Sequence, residues 1–430
     1  MAANFVASPE IIEKTRKEGE RKTGLFGRTL VVFETHLDSL PSHTFSPGDI
    51  VGLDHSSSSA RTDSLGSGVV TRVSATSITV AFEDTNDLYT LENGLHDYYK
   101  LSKLANDVTY KRLKKTLEKL EKGNYASSSQ LVSVLFGEQP ISPALDVPDL
   151  TYFNSGLDAS QREAVRFALA QRELAIVHGP PGTGKTTTVI EIILQALKVG
   201  SKVLACAPSN IAVDNLVDRL SSSKHRIVRL GHPARLLPHL QKFSLDAILS
   251  ASEETQLWRI ILLSGICPPV SDLKKARDKG QKQKLREDMK HLRKELRQRE
   301  TAATKEILKL ADVVLVTLTS ATDDGPMKLL EESHFDVTII DEVSQAMEAA
   351  CWIPLLRSKK CILAGDHLQL PPTIMSKEAA KEGLEVTLME RMLEMYGDPR
   401  HEDAHRAVQN AREDHAVVLH TALPLQAGRT

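Results

Sequence analysis

Cysteine is scarce: Cys206, Cys267, Cys351 and Cys361 are the only four in 430 residues, and no Cys-x-x-Cys pair occurs. That excludes a disulfide scaffold and a zinc ribbon and fits a reducing compartment. Aromatic residues make up 4% of the chain, too few for broad base-stacking platforms. Neither sign of charge dominates, since 54 Lys and Arg face 56 Asp and Glu for a formal net charge of -2. A nucleic-acid surface must therefore be a local basic patch. No apolar run is long enough to span a bilayer, and the greasiest stretch covers only residues 260–266. The N-terminus, Met1-Ala2-Ala3-Asn4-Phe5, lacks the basic and apolar regions of a secretory signal. The expectation is a soluble intracellular protein, cytoplasmic or nuclear, with no membrane partner.

What is present suffices for a packed core: 41% hydrophobic and 26% charged residues. At about 150 residues per domain, the length suggests two or three domains. Residues 9–22 are polar and helix-prone, so residues 1–24 are expected to form a stalk helix. Short apolar runs between turn signals follow: Leu30–Phe33, Ile50–Leu53, Val69–Val73 and Ile78–Phe82. The last two flank Ser74–Ser77 as a hairpin. Residues 25–100 thus predict a small β-barrel. Leu101, Leu104, Val108, Leu113, Leu117 and Leu120 step by helical intervals toward Gly123, which predicts a second stalk helix. Its basic residues Lys111, Arg112, Lys114 and Lys115 read first as a solvated face. Residues 127–148 are expected to be a linker, completing a segment 101–150.

From Leu157 strands and helices alternate. Leu174–Val177, Val203–Ala207, Val313–Val316, Val337–Ile340 and Cys361–Ala364 are apolar throughout, and Thr186–Leu197 reads as a helix. Such strands argue an α/β domain, residues 151–398, with a parallel sheet covered on both faces. The alternation stops between about 237 and 306. Residues 274–299 hold twelve Lys and Arg, with Leu285, Met289, Leu292 and Leu296 along one seam. This predicts an inserted helical hairpin. Residues 399–430 show no clear strand pattern.

Gly179-Pro180-Pro181-Gly182-Thr183-Gly184-Lys185-Thr186 fits G-x-x-x-x-G-K-[ST]. Chance would give this in a chain of this length about one or two times in a hundred, and here it lies between a strand and a helix. Small residues let backbone amides turn inward around phosphate oxygens, and the helix N-terminus adds partial positive charge. Lys185 would reach the β- and γ-phosphates, and the Thr186 hydroxyl would join a Mg2+ shell. Thr187 extends the set of nucleotide-binding candidates. Asp341-Glu342 directly follows an apolar strand. At the carboxyl end of a parallel strand, Asp341 can hold Mg2+ and Glu342 can orient and deprotonate the attacking water. Gly365-Asp366-His367-Leu368-Gln369 follows another strand, and Gln369 could contact the γ-phosphate or that water.

Pro208-Ser209-Asn210 ends one strand and begins a helix. Ser209 or Asn210 could be an N-cap or could hold a nucleic-acid phosphate. Thr317 and Ser320 offer a second hydroxyl cluster. His178, His232 and His367 have no metal-ligand spacing and read as structural.

In order, LDASQREAV, GPPGTGKTTT, APSNIAVDNL, DEVSQA and GDHLQLPP resemble the Q motif and motifs I, Ia, II and III of UPF-type superfamily 1 helicases. The resemblance covers about residues 24–397. It implies a first RecA-like P-loop NTPase domain, preceded by a barrel on helical stalks and carrying a helical insertion. It implies ATP and Mg2+ as ligands, 5′-to-3′ movement on single-stranded DNA or RNA, and association with ribonucleoprotein or ribosomes. Gln161 would read the adenine, Asp341 would be the metal ligand and Glu342 the catalytic base, and Gln369 would sense the γ-phosphate. The match departs at Val343, where a small residue or Cys is usual, and at Ser344, where Ala is usual. It stops after Gly397, so the chain is expected to supply one wall of an interdomain site. The alternative reading is a nucleotide- and nucleic-acid-binding module without appreciable turnover. A signalling GTPase would need an Asn-Lys-x-Asp motif, which is absent.

Overall fold

The computed structural model describes residues 11–13, 29–34, 40, 43–55, 64–82, 98–103, 107–180, 182–251, 279–374, 376–396 and 417–418. Pro181, Cys267, the rest of the expected N-terminal helix and the side chains of the Leu285–Leu296 seam lie outside the description. The chain divides into two compact units: residues 1–110 with 232–241, and residues 111–231 with 242–430.

The first unit is a closed antiparallel barrel. Its strands are β1 (Ile11–Glu13), β2 (Thr29–Glu34), β3 (Ile50–His55), β4 (Ser64–Val73), β5 (Ser77–Phe82) and β6 (Tyr98–Lys103), ordered β1-β2-β5-β4-β3-β6. Alternation decides what faces inward. Ile78, Val80 and Phe82 of β5 join Phe33, Val51, Leu53, Val70 and Leu101 in the interior. The β4–β5 turn is built by Ser74, whose hydroxyl accepts the Ser77 N–H at 2.9 Å. A Cβ on Gly68 would stand 2.6 Å from Val80 Cγ1 and 2.9 Å from the Ala81 oxygen, so only glycine lets these strands close. Two expectations are corrected here. Ile11–Glu13 is extended and pairs with β2 and β6, where a helix was expected. Leu101 lies in β6 rather than on the stalk helix, because a strand uses its apolar side chain to plug the barrel. Residues 232–241 also belong to this unit, where Arg235 Nε donates to the Gly48 oxygen at 2.9 Å.

The second unit begins at Lys111, within helix α1 (Asp107–Glu121), and goes on to α2 (Ser129–Leu135) and α3 (Ala159–Ala170). It continues β7 (Leu174–His178), α4 (Lys185–Lys198), β8 (Val203–Ala207), α5 (Asn210–Leu220) and β9 (Ile227–Leu230). Helices α6 (Leu245–Ala251) and α7 (Lys279–Leu310) follow, so the insertion does carry a long basic helix. The unit closes with β10 (Val313–Thr317), β11 (Phe335–Ile340), α8 (Glu348–Leu355), β12 (Ser358–Gly365) and α9 (Leu388–Tyr396). A two-residue strand, β13 (Val417–Val418), lies in the segment where none was expected. The sheet order is β13-β7-β12-β11-β8-β10-β9, parallel except for β13.

The expected linker 127–148 is instead pinned to the core. Leu131, Val132, Val134 and Leu135 of α2 are buried. Phe136 stacks on Trp352 at 4.9 Å, and Arg391 of α9 donates to the Leu135 oxygen at 2.7 Å while pairing with Glu348 of α8. Buried Glu173 accepts from Gln130 Nε2 at 2.7 Å and from the Ser142 amide at 3.1 Å.

Strand β9 was not foreseen, because Arg229 interrupts its apolar pattern. Its guanidinium is fully buried and bonds Asp214 at 3.0 Å, Asn210 Oδ1 at 2.9 Å and the Leu230 oxygen. A buried charge tolerates desolvation only when so paired. Arg229→Ala removes the guanidinium that pairs with the buried Asp214 carboxylate, and should cost about 3–5 kcal/mol in equilibrium urea unfolding. The double variant Arg229→Met, Asp214→Leu should recover most of that loss.

Candidate functional site

The carboxyl ends of β7, β12, β11, β8 and β10 lie side by side along one edge of the sheet. The Gly179–Thr186, Pro208–Asn210, Asp341-Glu342 and Gly365–Gln369 segments and the Thr317–Ser320 cluster each lie where one of these strands stops, whereas Gln161 comes from α3, ahead of β7. Register fixes the spacing, with His178 beside Gly365, Ile340 beside Cys206 and Ala207 beside Thr317. In open α/β sheets this edge is where ligands bind.

At the end of β7 the phosphate loop turns on Gly182 (φ 84°) and Gly184 (φ 77°), a conformation that favours glycine. The Thr183 hydroxyl donates to the Pro180 oxygen at 2.8 Å and closes the loop on itself. Helix α4 starts at Lys185 with no side chain capping its first amides. Those amides and the dipole behind them are free for an anion. Gln161 sits at the start of α3 in a capping box with Asp158, and its Nε2 donates to the Thr183 oxygen at 2.9 Å. A Cβ on Gly184 would approach that nitrogen to 2.4 Å. Gln161 is therefore a brace between α3 and the loop. Thr186 and Thr187 lie half-buried on the first turn of α4, and the Thr187 hydroxyl accepts from Arg219 at 3.2 Å. Arg219, on α5, is a cation that the motif reading missed.

At the end of β11, Asp341 is 2% exposed, and Lys185 Nζ lies 3.3 Å from Glu342 Oε1. The expected phosphate cation and the expected base thus face each other across the loop. Burial, and then the neighbouring Glu342 charge, push the Asp341 carboxyl up to about 6, against the pull of Lys185 and the Glu342 amide. Glu342 has φ 55°, the one non-glycine residue in the left-handed region among those described. Its amide donates to Asp341 Oδ1 at 2.9 Å, and Gln345 Nε2 donates to its carboxylate at 3.1 Å. Such a backbone costs of order 1–3 kcal/mol and is held by its surroundings. The candidate donors, the buried Asp341 carboxylate and the Thr186 hydroxyl on the first turn of α4, are oxygen ligands of the kind that suit a hard cation such as Mg2+.

At the end of β12, Asp366 accepts from the Leu368 amide at 3.0 Å and bonds His178 Nε2 at 3.2 Å. The Gln369 backbone N–H donates to the Asp366 backbone oxygen at 3.1 Å, which holds the turn that carries it. Ser344, where the resemblance led to alanine, uses its hydroxyl to accept the Asp366 N–H at 3.3 Å. Val343 is fully buried, and a Cβ on Gly365 would meet its Cγ1 at 3.0 Å. His178 and His367, 189 positions apart, have ring centroids 4.8 Å apart. Burial and then the His367 charge lower the His178 pKa. Spacing along the chain gave no sign of this pairing.

Toward β8 and β10, Pro208, Ser209, Asn210, Thr317 and Ser320 do come together on the edge. Ser209 is the N-cap of α5, accepting the Ala212 N–H at 3.1 Å. Its proton remains available to a further acceptor. Asn210 is tied to Arg229, and the Thr317 hydroxyl donates to Ser320 Oγ at 2.9 Å. Arg112 of α1 donates to the Thr319 oxygen at 2.9 Å and pairs with Asp324. That stalk cation is therefore partnered, not simply solvated.

The AAA domain family matches residues 156–262 and 268–377, half of the chain, and the Helicase SMUBP-2/HCS1 1B domain family matches residues 13–104. DNA-binding protein SMUBP-2 of Mesocricetus auratus is 54% identical over 379 residues, which cover 87% of this chain and 38% of that protein. ATP-dependent helicase NAM7 of Saccharomyces cerevisiae is 32% identical over 295 residues, 67% of this chain and 28% of that one. The chain belongs to the UPF-type superfamily 1 helicases. DNA polymerase alpha-associated DNA helicase A of Schizosaccharomyces pombe is 38% identical over 395 residues, 88% of this chain and 58% of that protein. The chain spans less than two thirds of each of these relatives. Among the described residues no helix is long and apolar enough to cross a membrane.

The raised Asp341 pKa has a measurable consequence. The folded carboxyl keeps its proton up to about pH 6, whereas the ordinary value is 3.8. The folded state therefore binds more protons between those values, and stability falls as pH rises through them. Asp341→Asn should stabilise the metal-free protein at pH 7.5 by on the order of 1–3 kcal/mol. The gap to wild type should narrow as pH is lowered toward 5, read as denaturant midpoints across that range.

Proposed function

We propose that this chain binds ATP with Mg2+ at the ends of β7 and β11 and hydrolyses it to drive movement on single-stranded DNA or RNA. The observation that carries the reading is the 3.3 Å approach of Lys185 to Glu342 across an uncapped helix N-terminus, with buried Asp341 alongside. Thr186 and Asp341 would hold Mg2+, which supplies charge neutralisation to the phosphates. Lys185 would leave Glu342 for the β- and γ-phosphate oxygens. Released, Glu342 can orient a water and take its proton. The strained backbone fixes where that carboxylate stands. Gln369, on the loop that follows β12, would sense the γ-phosphate. Gln161 braces the loop through the Thr183 oxygen, and would exchange one of its two amide bonds to read the adenine.

Nucleic acid would run across the ends of β8 and β10. Ser209 would donate to a phosphate, with Pro208, Asn210, Thr317 and Ser320 shaping the track. These are contacts to the backbone, which position a strand without reading its bases. The 5′-to-3′ direction rests on family membership, as does association with ribonucleoprotein.

Two measurements test this. In calorimetry, Lys185→Ala should lose most Mg-ATP affinity. Glu342→Gln should keep that affinity within a few-fold while turnover drops about 10²–10⁴-fold, the size of a general-base contribution. Equal turnover in Glu342→Gln and wild type would overturn the assignment of the base.

Ser209 permits a sharper test of the track, because aspartate and asparagine cap helices as well as serine does. Both Ser209→Asn and Ser209→Asp should keep wild-type stability. Only Ser209→Asp should weaken single-strand binding at low salt, because it places a carboxylate against the phosphates. Equal affinity in all three proteins would remove Ser209 from the interface.

A further inference from the structure

We propose that His178, Asp366 and His367 form a site for a divalent transition metal of the zinc class, separate from the Mg2+ position at Thr186 and Asp341. Each residue offers one donor atom, and the three donors lie within 4.8 Å of one another. The His178 Nε2 to Asp366 Oδ1 distance is 3.2 Å. Two ligands held at about 2.0–2.1 Å on a tetrahedral ion stand a little over 3 Å apart, so this pair already has the required separation. His367 Nδ1 is buried and has no hydrogen-bond partner. A buried imidazole nitrogen without a partner calls for an explanation, and a metal bond supplies one.

The scaffold is rigid where it needs to be. His178 is the last residue of β7 and pairs in register with Gly365 of β12, after which Asp366 and His367 follow directly. The Gly179 amide donates to the Gly365 oxygen at 3.2 Å and continues the pairing one step further. His367 is half-exposed on the loop, so it can swing the remaining distance inward. Two imidazoles and one carboxylate are borderline donors, suited to zinc, nickel or copper rather than to Mg2+, which prefers oxygen ligands. Metal ligation uses the imidazole lone pair, which each histidine offers in its neutral form. The ion would replace the proton that Nε2 and Oδ1 share, which moves to Nδ1 or to solvent. The fourth position is left to water. Occupancy would staple the loop bearing Gln369 to the strand that leads into the phosphate loop. This inference does not depend on the reading of ATP turnover.

The probe is Co2+ added to the whole, untagged, chelator-treated chain, with Zn2+ as competitor. We expect one equivalent to give the visible absorption of four-coordinate cobalt, and Zn2+ to abolish it. His367→Ala, which alters a half-exposed side chain, should weaken uptake at least about tenfold. His367→Cys should keep binding and add a thiolate-to-cobalt charge-transfer band. Asp341→Asn should leave the visible band in place. The proposal fails if wild type shows no four-coordinate band, if His367→Ala takes up cobalt with unchanged affinity, or if the band depends on Asp341 instead. It also fails if His367→Cys shows no charge-transfer band while its circular dichroism matches wild type. In that case the His178–Asp366 bond is a strut between strand and loop and nothing more.

Discussion

In-register parallel pairing is the constraint on which everything else rests. A parallel ladder aligns strands head to head, so residues separated by a hundred or more positions finish at the same level. Ala207 meets Thr317, and His178 meets Gly365. Sliding either pair by one residue would turn its side chains to the opposite face. The apolar strand interiors resist that slip, because Val203–Ala207, Val313–Thr317 and Leu174–His178 are buried along their whole length. The chemistry at the edge is thus located by the hydrophobic effect acting one layer below it.

Charge is handled there by neighbours rather than by water. Arg229 lies against Asp214, Lys185 against Glu342, and Glu191 of α4 accepts the amides of Phe153 and Asn154 at 2.9 and 3.0 Å. The first and third sets are saturated and act as fasteners. The second is exchangeable, since neither partner has a full complement of hydrogen bonds from fixed groups. Asp341 is the exception, a carboxylate forced into a dry position with only partial relief. A divalent cation held at that oxygen, as proposed above, would remove the penalty.

Local signals were readable in the residues. The phosphate loop, the carboxylate pair and the apolar strands each lie within a few consecutive positions, and the structure places them as the spacing implied. The β4–β5 hairpin was equally plain. Helix α2 was not, because four buried apolar residues in a seven-residue helix look like part of a polar loop until Trp352 and Arg391 are seen against them. Strand β9 was concealed by the arginine at its centre. Leu101 fitted both a helical step and a strand alternation, and barrel closure decided between them. The histidine pair was out of reach altogether, since only sheet register brings those two rings together. Ser209 was read with both possible roles, and its geometry satisfies the first while leaving a proton for the second.

The backbone of Glu342 bears on how this protein would respond to laboratory evolution. Glycine occupies its left-handed conformation at less cost, by about 1–2 kcal/mol for each residue relieved. A selection that rewarded expression or heat resistance alone would therefore favour glycine at this position. Thermostable clones from such a library would accumulate a defect at the very residue that faces Lys185. Screens for hardier variants of this domain should hold position 342 fixed.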